Sequence, residues 1–152
     1  MTILLVGGGG REHAMLHAIK NSSRVDKIYA APGNAGMADM AELVDIGVME
    51  FDRLIAFAKE KDVDLTVCSQ DDPLCAGIVD AFEAAGLKIF GTKKDAAIIE
   101  GSKAFSKNLM KKYHIPTAAY EVFTDPKEAE AYLETQKMPI VLKADGLALG
   151  KG

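Results

Sequence analysis

Cysteine is scarce in this chain: Cys68 and Cys75 are the two it has, they are not spaced as C-x-x-C, and each sits among apolar neighbours. Such residues read as buried free thiols rather than as a redox pair or metal ligands. Long apolar runs are missing too. None approaches the ~18 residues of a membrane span, and the N-terminus lacks a secretory pattern. The chain therefore reads as cytoplasmic, with no membrane partner. Nor is there a basic surplus: 18 Lys and Arg against 22 Asp and Glu leave a net charge of −4. With no basic aromatic surface, nucleic acid is not an expected partner. Internal repeats and low-complexity tracts are also absent from the sequence. What remains is ample for a core, since 49% of the 152 residues are apolar, enough for one domain, or one small domain plus part of another.

The stretch that organises the chain is Thr2-Ile3-Leu4-Leu5-Val6-Gly7-Gly8-Gly9-Gly10-Arg11-Glu12-His13. A strand-length apolar run breaks into four glycines, and a helical pattern follows from Arg11. Successive glycines let the backbone come close to a ligand, and the free N–H groups of a helix's first turn favour an anion. A phosphate is the natural guest.

Further along, the pattern predicts strands at about 27–31, 43–46, 64–68 and 88–90, and a helix over about 50–61. Asp72 before Pro73 predicts an N-cap with proline at N1 for a helix running to Ala85 and stopping at Gly86. Strands alternating with helices imply right-handed βαβ units and a parallel sheet, with ligands beyond the carboxyl ends of the strands. The polar loops at 7–10, 32–36 and 69–72 fall at such ends and are expected to converge. The fold class is α/β, with a Rossmann-like parallel-sheet domain over 1–100. A change of character near Gly91 and again at Gly101 opens a second region, 101–152. It is expected to hold a basic helix from Lys103 to His114, a strand at 119–123, a helix opened by Asp125-Pro126, with Glu128 in the capping-box position, and a strand at 139–143. The chain then stops inside Gly146 to Gly152, as expected of a piece of a longer protein.

Two familiar phosphate templates fail. For a dinucleotide G-x-G-x-x-G, the third glycine position falls on Glu12 or His13, and the second strand ends without a carboxylate. For a P-loop, Gly146 and Gly150-Lys151 enclose three residues where four are needed, and Gly152 stands where Ser or Thr should hold magnesium.

Single residues keep alternative readings. Arg11 suits a phosphate because its fork can bind two oxygens. His13 either contacts substrate or supports the loop and caps the first helix. Lys103, taken alone, reads as a solvated residue on a basic helix. Lys143 closes an apolar strand, where an ammonium needs an anion or a path to water. Asp145 is a turn former or a polar contact of the terminal loop. His17 and His114 read as surface or helix-end residues.

Six ordered blocks resemble one family. They are Gly9-Gly10-Arg11-Glu12-His13-Ala14, Ala31-Pro32-Gly33-Asn34-Ala35-Gly36, the stretch from Pro73-Leu74 to Ala76-Gly77-Ile78-Val79-Asp80, Glu100-Gly101-Ser102-Lys103-Ala104-Phe105, Ile115-Pro116-Thr117-Ala118 and Lys143-Ala144-Asp145-Gly146-Leu147-Ala148. Together they look like the phosphoribosylamine-glycine ligases (glycinamide ribonucleotide synthetases) of the ATP-grasp superfamily. The resemblance covers nearly the whole chain but only the first part of the family's length. It implies a start of the ATP-grasp nucleotide domain over 101–152 and an ATP-dependent ligation in purine biosynthesis. Glycine is phosphorylated to an acyl phosphate, which the amine of 5-phosphoribosylamine attacks, giving glycinamide ribonucleotide, ADP and phosphate. It further implies that Gly8, Gly9, Gly10, Arg11, Glu12 and His13, with Pro32, Gly33, Asn34 and Gly36 and also Asp71, face the phosphoribosylamine. Lys103, Lys143, Asp145, Gly146, Gly150, Lys151 and Gly152 would serve ATP. The cofactors implied are ATP and Mg²⁺, with Mn²⁺ as a substitute. No catalytic residue and no metal ligand is assigned within 1–152, and this stretch alone is expected to be inactive. The family reads Gly-Pro-Glu where this chain has Ser69-Gln70-Asp71, so substrate contacts from that loop are altered. The other readings are a sugar-phosphate-binding module without turnover, a structural remnant, and another ATP-grasp carboxylate-amine ligase.

Overall fold

The structure, a computed structural model, describes residues 1–148. The described residues divide into two compact units, Met1–Ala97 and a second that begins at Ile98.

The first unit is built on five parallel strands: β1 Thr2–Gly7, β2 Lys27–Pro32, β3 Glu42–Leu43, β4 Leu65–Cys68 and β5 Ile89–Phe90. Their order is β3-β2-β1-β4-β5. The α/β fold class with a parallel sheet is thus the one the alternating pattern indicates. The chain moves outward from β1 to one edge, returns, and moves outward to the other, so the topological switch lies at the carboxyl end of β1. Gly7 pairs with Pro32, and Val6 with Cys68, which brings three strand ends level.

β1 is apolar at successive positions because both of its faces are covered. Leu4 and Val6 join Leu54, Ala58, Ile78, Val79 and Phe82 on one side. Ile3 and Leu5 join Leu16, Ile28, Met37 and Val67 on the other. Each of the larger side chains among them contributes about 1.5–3 kcal/mol on burial. The helices that supply these covers are α1 Gly10–Lys20, α2 Phe51–Glu60, α3 Asp71–Ala76 and α4 Ile78–Ala84. A further helix, α5 Lys94–Gly101, lies where the sequence pattern showed only a change of character; it buries Ala97.

Three local expectations are corrected here. The helix expected to start at the Asp72 cap starts earlier: Gln70 is the cap, and Asp71 and Asp72 lie in the first turn, where acidic side chains complement the helix dipole. It does not run unbroken to Ala85, because Gly77 adopts φ +98°, a left-handed conformation that ends α3 and begins α4. The third strand is shorter and earlier than 43–46, since only Glu42 and Leu43 pair with β2.

In the second unit, α6 Lys103–Lys112 is capped by Ser102, whose hydroxyl oxygen accepts the Phe105 N–H at 3.0 Å. α7 Pro126–Glu134 is capped by Asp125 with Pro126 at its start, as the sequence indicated. The strands expected at 119–123 and 139–143 do not form, for a strand needs a neighbouring ladder and no described residue pairs with either segment. Val141 and Leu142 are 76% and 71% exposed. Residues 117–123 are held by side chains instead. Lys107 Nζ donates to Thr117 Oγ1 at 2.6 Å, the Tyr120 hydroxyl donates to Asn108 Oδ1 at 2.8 Å, and the Phe123 ring lies 5.1 Å from that of Tyr132.

Candidate functional site

The loops that leave β1, β2 and β4 are tied together at the switch point. The Gly33 N–H donates to the Gly7 carbonyl at 3.2 Å, and Asn34 Nδ2 donates to the Gly8 carbonyl at 2.8 Å. Asn34 Oδ1 also accepts the Gly36 N–H at 2.8 Å, closing its own turn. The approach is close enough to need glycine: a Cβ on Gly8 would lie 2.3 Å from the Gly33 carbonyl oxygen. The third loop joins through Glu12. Its Oε1 accepts the Ser69 hydroxyl at 2.6 Å and its Oε2 accepts the Gly9 N–H at 2.9 Å.

Glu12 is only 2% exposed, so its carboxylate serves the protein's own donors beneath the loops. Arg11 is the opposite case. Its side chain is 80% exposed and reaches Asp71 Oδ2 at 3.9 Å, a loose pair across the mouth formed by the first and third loops. Such an exposed pair costs little to exchange for a ligand anion. His13 lies against the second loop, with Gly36 so close that a Cβ there would meet His13 Cε1 at 2.9 Å. Gly10, at the start of α1, is exposed and has open space beside it. Pro32 closes β2 and is exposed. The three loops expected to converge do so, and the polar groups they leave accessible include Arg11, the Gly10 N-terminal turn and the half-buried Asp71. A separate hollow of about 500 Å³, lined by Lys20, Asp26, Lys27, Met40 and Glu42, lies at the amino ends of β2 and β3, away from these loops.

Cys68 closes β4 beneath the loops. Burial pushes its thiol up to about 11, the Gln70 N–H opposes that shift and the nearby Glu12 carboxylate adds to it. It is an inert core thiol, not a nucleophile.

The second unit carries its own polar cluster. Lys103 Nζ donates to the Gly146 carbonyl at 2.8 Å, and Asp145 accepts the Ser102 hydroxyl at 2.9 Å and the Ala104 N–H at 3.2 Å. The Ala104 N–H, followed by the Ser102 hydroxyl, holds the Asp145 carboxyl below the usual carboxylate range. Lys143 is exposed and lies on an irregular segment, not at the end of an apolar strand as the sequence pattern suggests. Gly150, Lys151 and Gly152 lie outside the described residues. Ser69 and Ser102 were not singled out for a site by the sequence, although Ser102 stands at the N-cap position before a basic helix, which is a readable signal. Among the described residues, no group of three or more His, Cys, Asp or Glu side chains is placed to hold a metal ion, and no helix is long and apolar enough to cross a membrane.

Comparison with known proteins fits this geometry. Residues 1–100 match the N domain of phosphoribosylglycinamide synthetase, and residues 101–152 match its ATP-grasp (A) domain. The phosphoribosylamine-glycine ligase of Halalkalibacterium halodurans is 52% identical over 152 residues, covering 100% of this chain and 36% of that protein. The crystal structure of phosphoribosylamine-glycine ligase from Thermotoga maritima superposes with a TM-score of 0.77 at 31% identity, covering 100% of this chain and 35% of that one. The biotin carboxylase domain of a thermophilic 2-oxoglutarate carboxylase shares the fold, with a TM-score of 0.66 at 22% identity over 94% of this chain and 35% of its own. The chain thus spans little more than a third of the length of the curated relatives it matches. With both of its parts matched in order, the chain belongs to the phosphoribosylglycinamide synthetase family.

Proposed function

We propose that this chain forms the sugar-phosphate site and the first part of the nucleotide site of an enzyme that joins glycine to 5-phosphoribosylamine, consuming ATP and releasing glycinamide ribonucleotide, ADP and phosphate. The division of labour follows the sequence, with substrate binding in 1–100 and nucleotide binding begun in 101–152. The observation that carries the reading is the knot of three loops at the carboxyl end of β1, with exposed Arg11 beside the α1 N-terminus. Arg11 supplies a charged fork, and the first-turn N–H groups of α1 supply fixed donors, for a sugar phosphate. Glu12, Asn34 and Ser69 hold that arrangement rather than touch the ligand. The half-buried Asp71, at the edge of the mouth, suits the ribose hydroxyls or the amine.

In the second unit, Lys103 and Lys143 provide the cations that phosphoryl transfer from ATP to the glycine carboxylate requires, since charge builds on phosphoryl oxygens and little covalent work falls to the protein. Mg²⁺ accompanies ATP in this reading; the described residues do not form a cage for it, and none of the roles assigned here depends on one.

The test has two arms. The chain itself should bind a phosphoribosyl ligand saturably, and Arg11→Ala should weaken that binding at unchanged melting temperature. In a ligase of the relatives' length that begins with this chain, ADP release should require both glycine and 5-phosphoribosylamine. Equal ADP release without them would refute the ligase reading. Sugar-phosphate binding by the chain, with no turnover in the longer protein, would favour a binding module. ADP release driven by a different carboxylate and amine would favour another ATP-grasp ligase.

A further inference from the structure

The corner formed by Asp145 and Gly146 is fastened to the first turn of α6 from both sides. Asp145 Oδ1 accepts the Ala104 N–H, and Oδ2 accepts the hydroxyl of Ser102, the same side chain that caps the helix through the Phe105 N–H. The next residue turns back with φ +98°, where glycine is the favoured residue, and its carbonyl accepts Lys103 Nζ. Carboxylate on helix N–H groups and ammonium on carbonyl are charge-assisted bonds. They join residues 41 to 43 positions apart in the sequence.

The family resemblance implies an ATP role for Asp145 and Lys103 alike, but the geometry separates them. Both Asp145 oxygens are engaged by protein donors, and a carboxylate facing nucleotide phosphates would repel them. Lys103 is held by a neutral carbonyl, an acceptor that a phosphate oxygen can displace because it carries charge.

We infer that Asp145 is a positioning residue: it pins the start of the glycine-rich loop to α6 and thereby places the Lys103 ammonium for the nucleotide phosphates without touching them. The inference rests on the ATP reading above. When nucleotide enters, Lys103 exchanges the Gly146 carbonyl for phosphate while Asp145 stays on Ser102 and Ala104.

Amide hydrogen exchange on the chain itself tests the fastening. Asp145→Ala should speed exchange at Ala104 about tenfold, the loss expected on removing one hydrogen bond to a charged group. Unchanged exchange at Ala104 would overturn the fastening. The nucleotide part is tested in a ligase of the relatives' length that begins with this chain, using a non-hydrolysable ATP analogue. Asp145→Ala should weaken analogue binding about tenfold and leave the KM for glycine unmoved. Asp145→Asn keeps an acceptor for Ala104 and should fall between. Analogue binding equal to that of the unsubstituted protein would overturn the inference, as would joint loss of ATP and glycine affinity, which marks a merely structural role. If Asp145→Ala fails to fold, Asp145→Asn and Ser102→Ala carry the same comparison. Lys103→Ala separates the two readings: if it too leaves analogue binding intact, the ATP reading fails rather than the positioning role alone.

Discussion

The Ser69 hydroxyl donates to Glu12 Oε1 at 2.6 Å across 57 residues of chain, and this bond stitches the loop after β4 to the helix after β1. In the loop after β4, Ser69 thus meets a carboxylate that is only 2% exposed. Glu12→Ala should therefore leave the Ser69 hydroxyl and the Gly9 N–H without their acceptor and cost about 2–6 kcal/mol, from two orphaned polar groups at roughly 1–3 kcal/mol each. Ser69→Ala should cost less, because Glu12 keeps Gly9. Denaturant unfolding of both variants checks the order; equal losses would contradict it.

Two neighbouring glycines make opposite predictions. Gly8→Ala places a methyl 2.3 Å from the backbone oxygen of Gly33, which cannot rotate away. It should destabilise the chain by about 1–3 kcal/mol through overpacking and loosen the three-loop knot. Gly10→Ala meets nothing within 4 Å and stands at the first position of α1. It should be neutral, or stabilising by up to ~1 kcal/mol. Thermal melts of the pair would show the contrast.

Arg11 offers a clean separation of binding from folding. Its loose pair with Asp71 is exposed, so Arg11→Ala should shift stability by less than about 0.5 kcal/mol. Loss of a bidentate charged contact should nevertheless weaken phosphoribosyl binding by about tenfold or more. Calorimetric titration beside a melt decides it; binding that survives intact would move the ligand site elsewhere.

Cys68 should resist alkylation in the folded chain. With its thiol pushed up to about 11 by burial, the thiolate fraction at pH 8 is about one in a thousand, and the sulfur is covered as well. The shift also has a sign for stability. The unfolded thiol ionises near 9.0 and the folded one near 11, so stability is unaffected below pH 9 and falls as pH rises between the two values. Cys68→Ala should flatten that alkaline slope, measured by denaturant midpoints from pH 8 to 10.5.

The residue pattern alone set β1, the glycines at 7–10 and the start of α1, because an apolar run, a run without side chains and a helical pattern are all local. It likewise determined the alternation that makes the sheet parallel, the cap of α7 at Asp125, and the meeting of three loops at one end of the sheet. Packing set Glu12 inward toward Ser69 and Gly9 and Arg11, next to it, outward, since both are charged residues in one helical turn and only their surroundings tell them apart. It also decided that Gly77 breaks a helix in two; a glycine there is readable, but its φ depends on how α3 and α4 pack. Segments 119–123 and 139–143 have strand-like sequences and no strand. The hydrogen bonds of a strand belong to its neighbours, and composition can prepare a segment for pairing without providing the edge on which to pair.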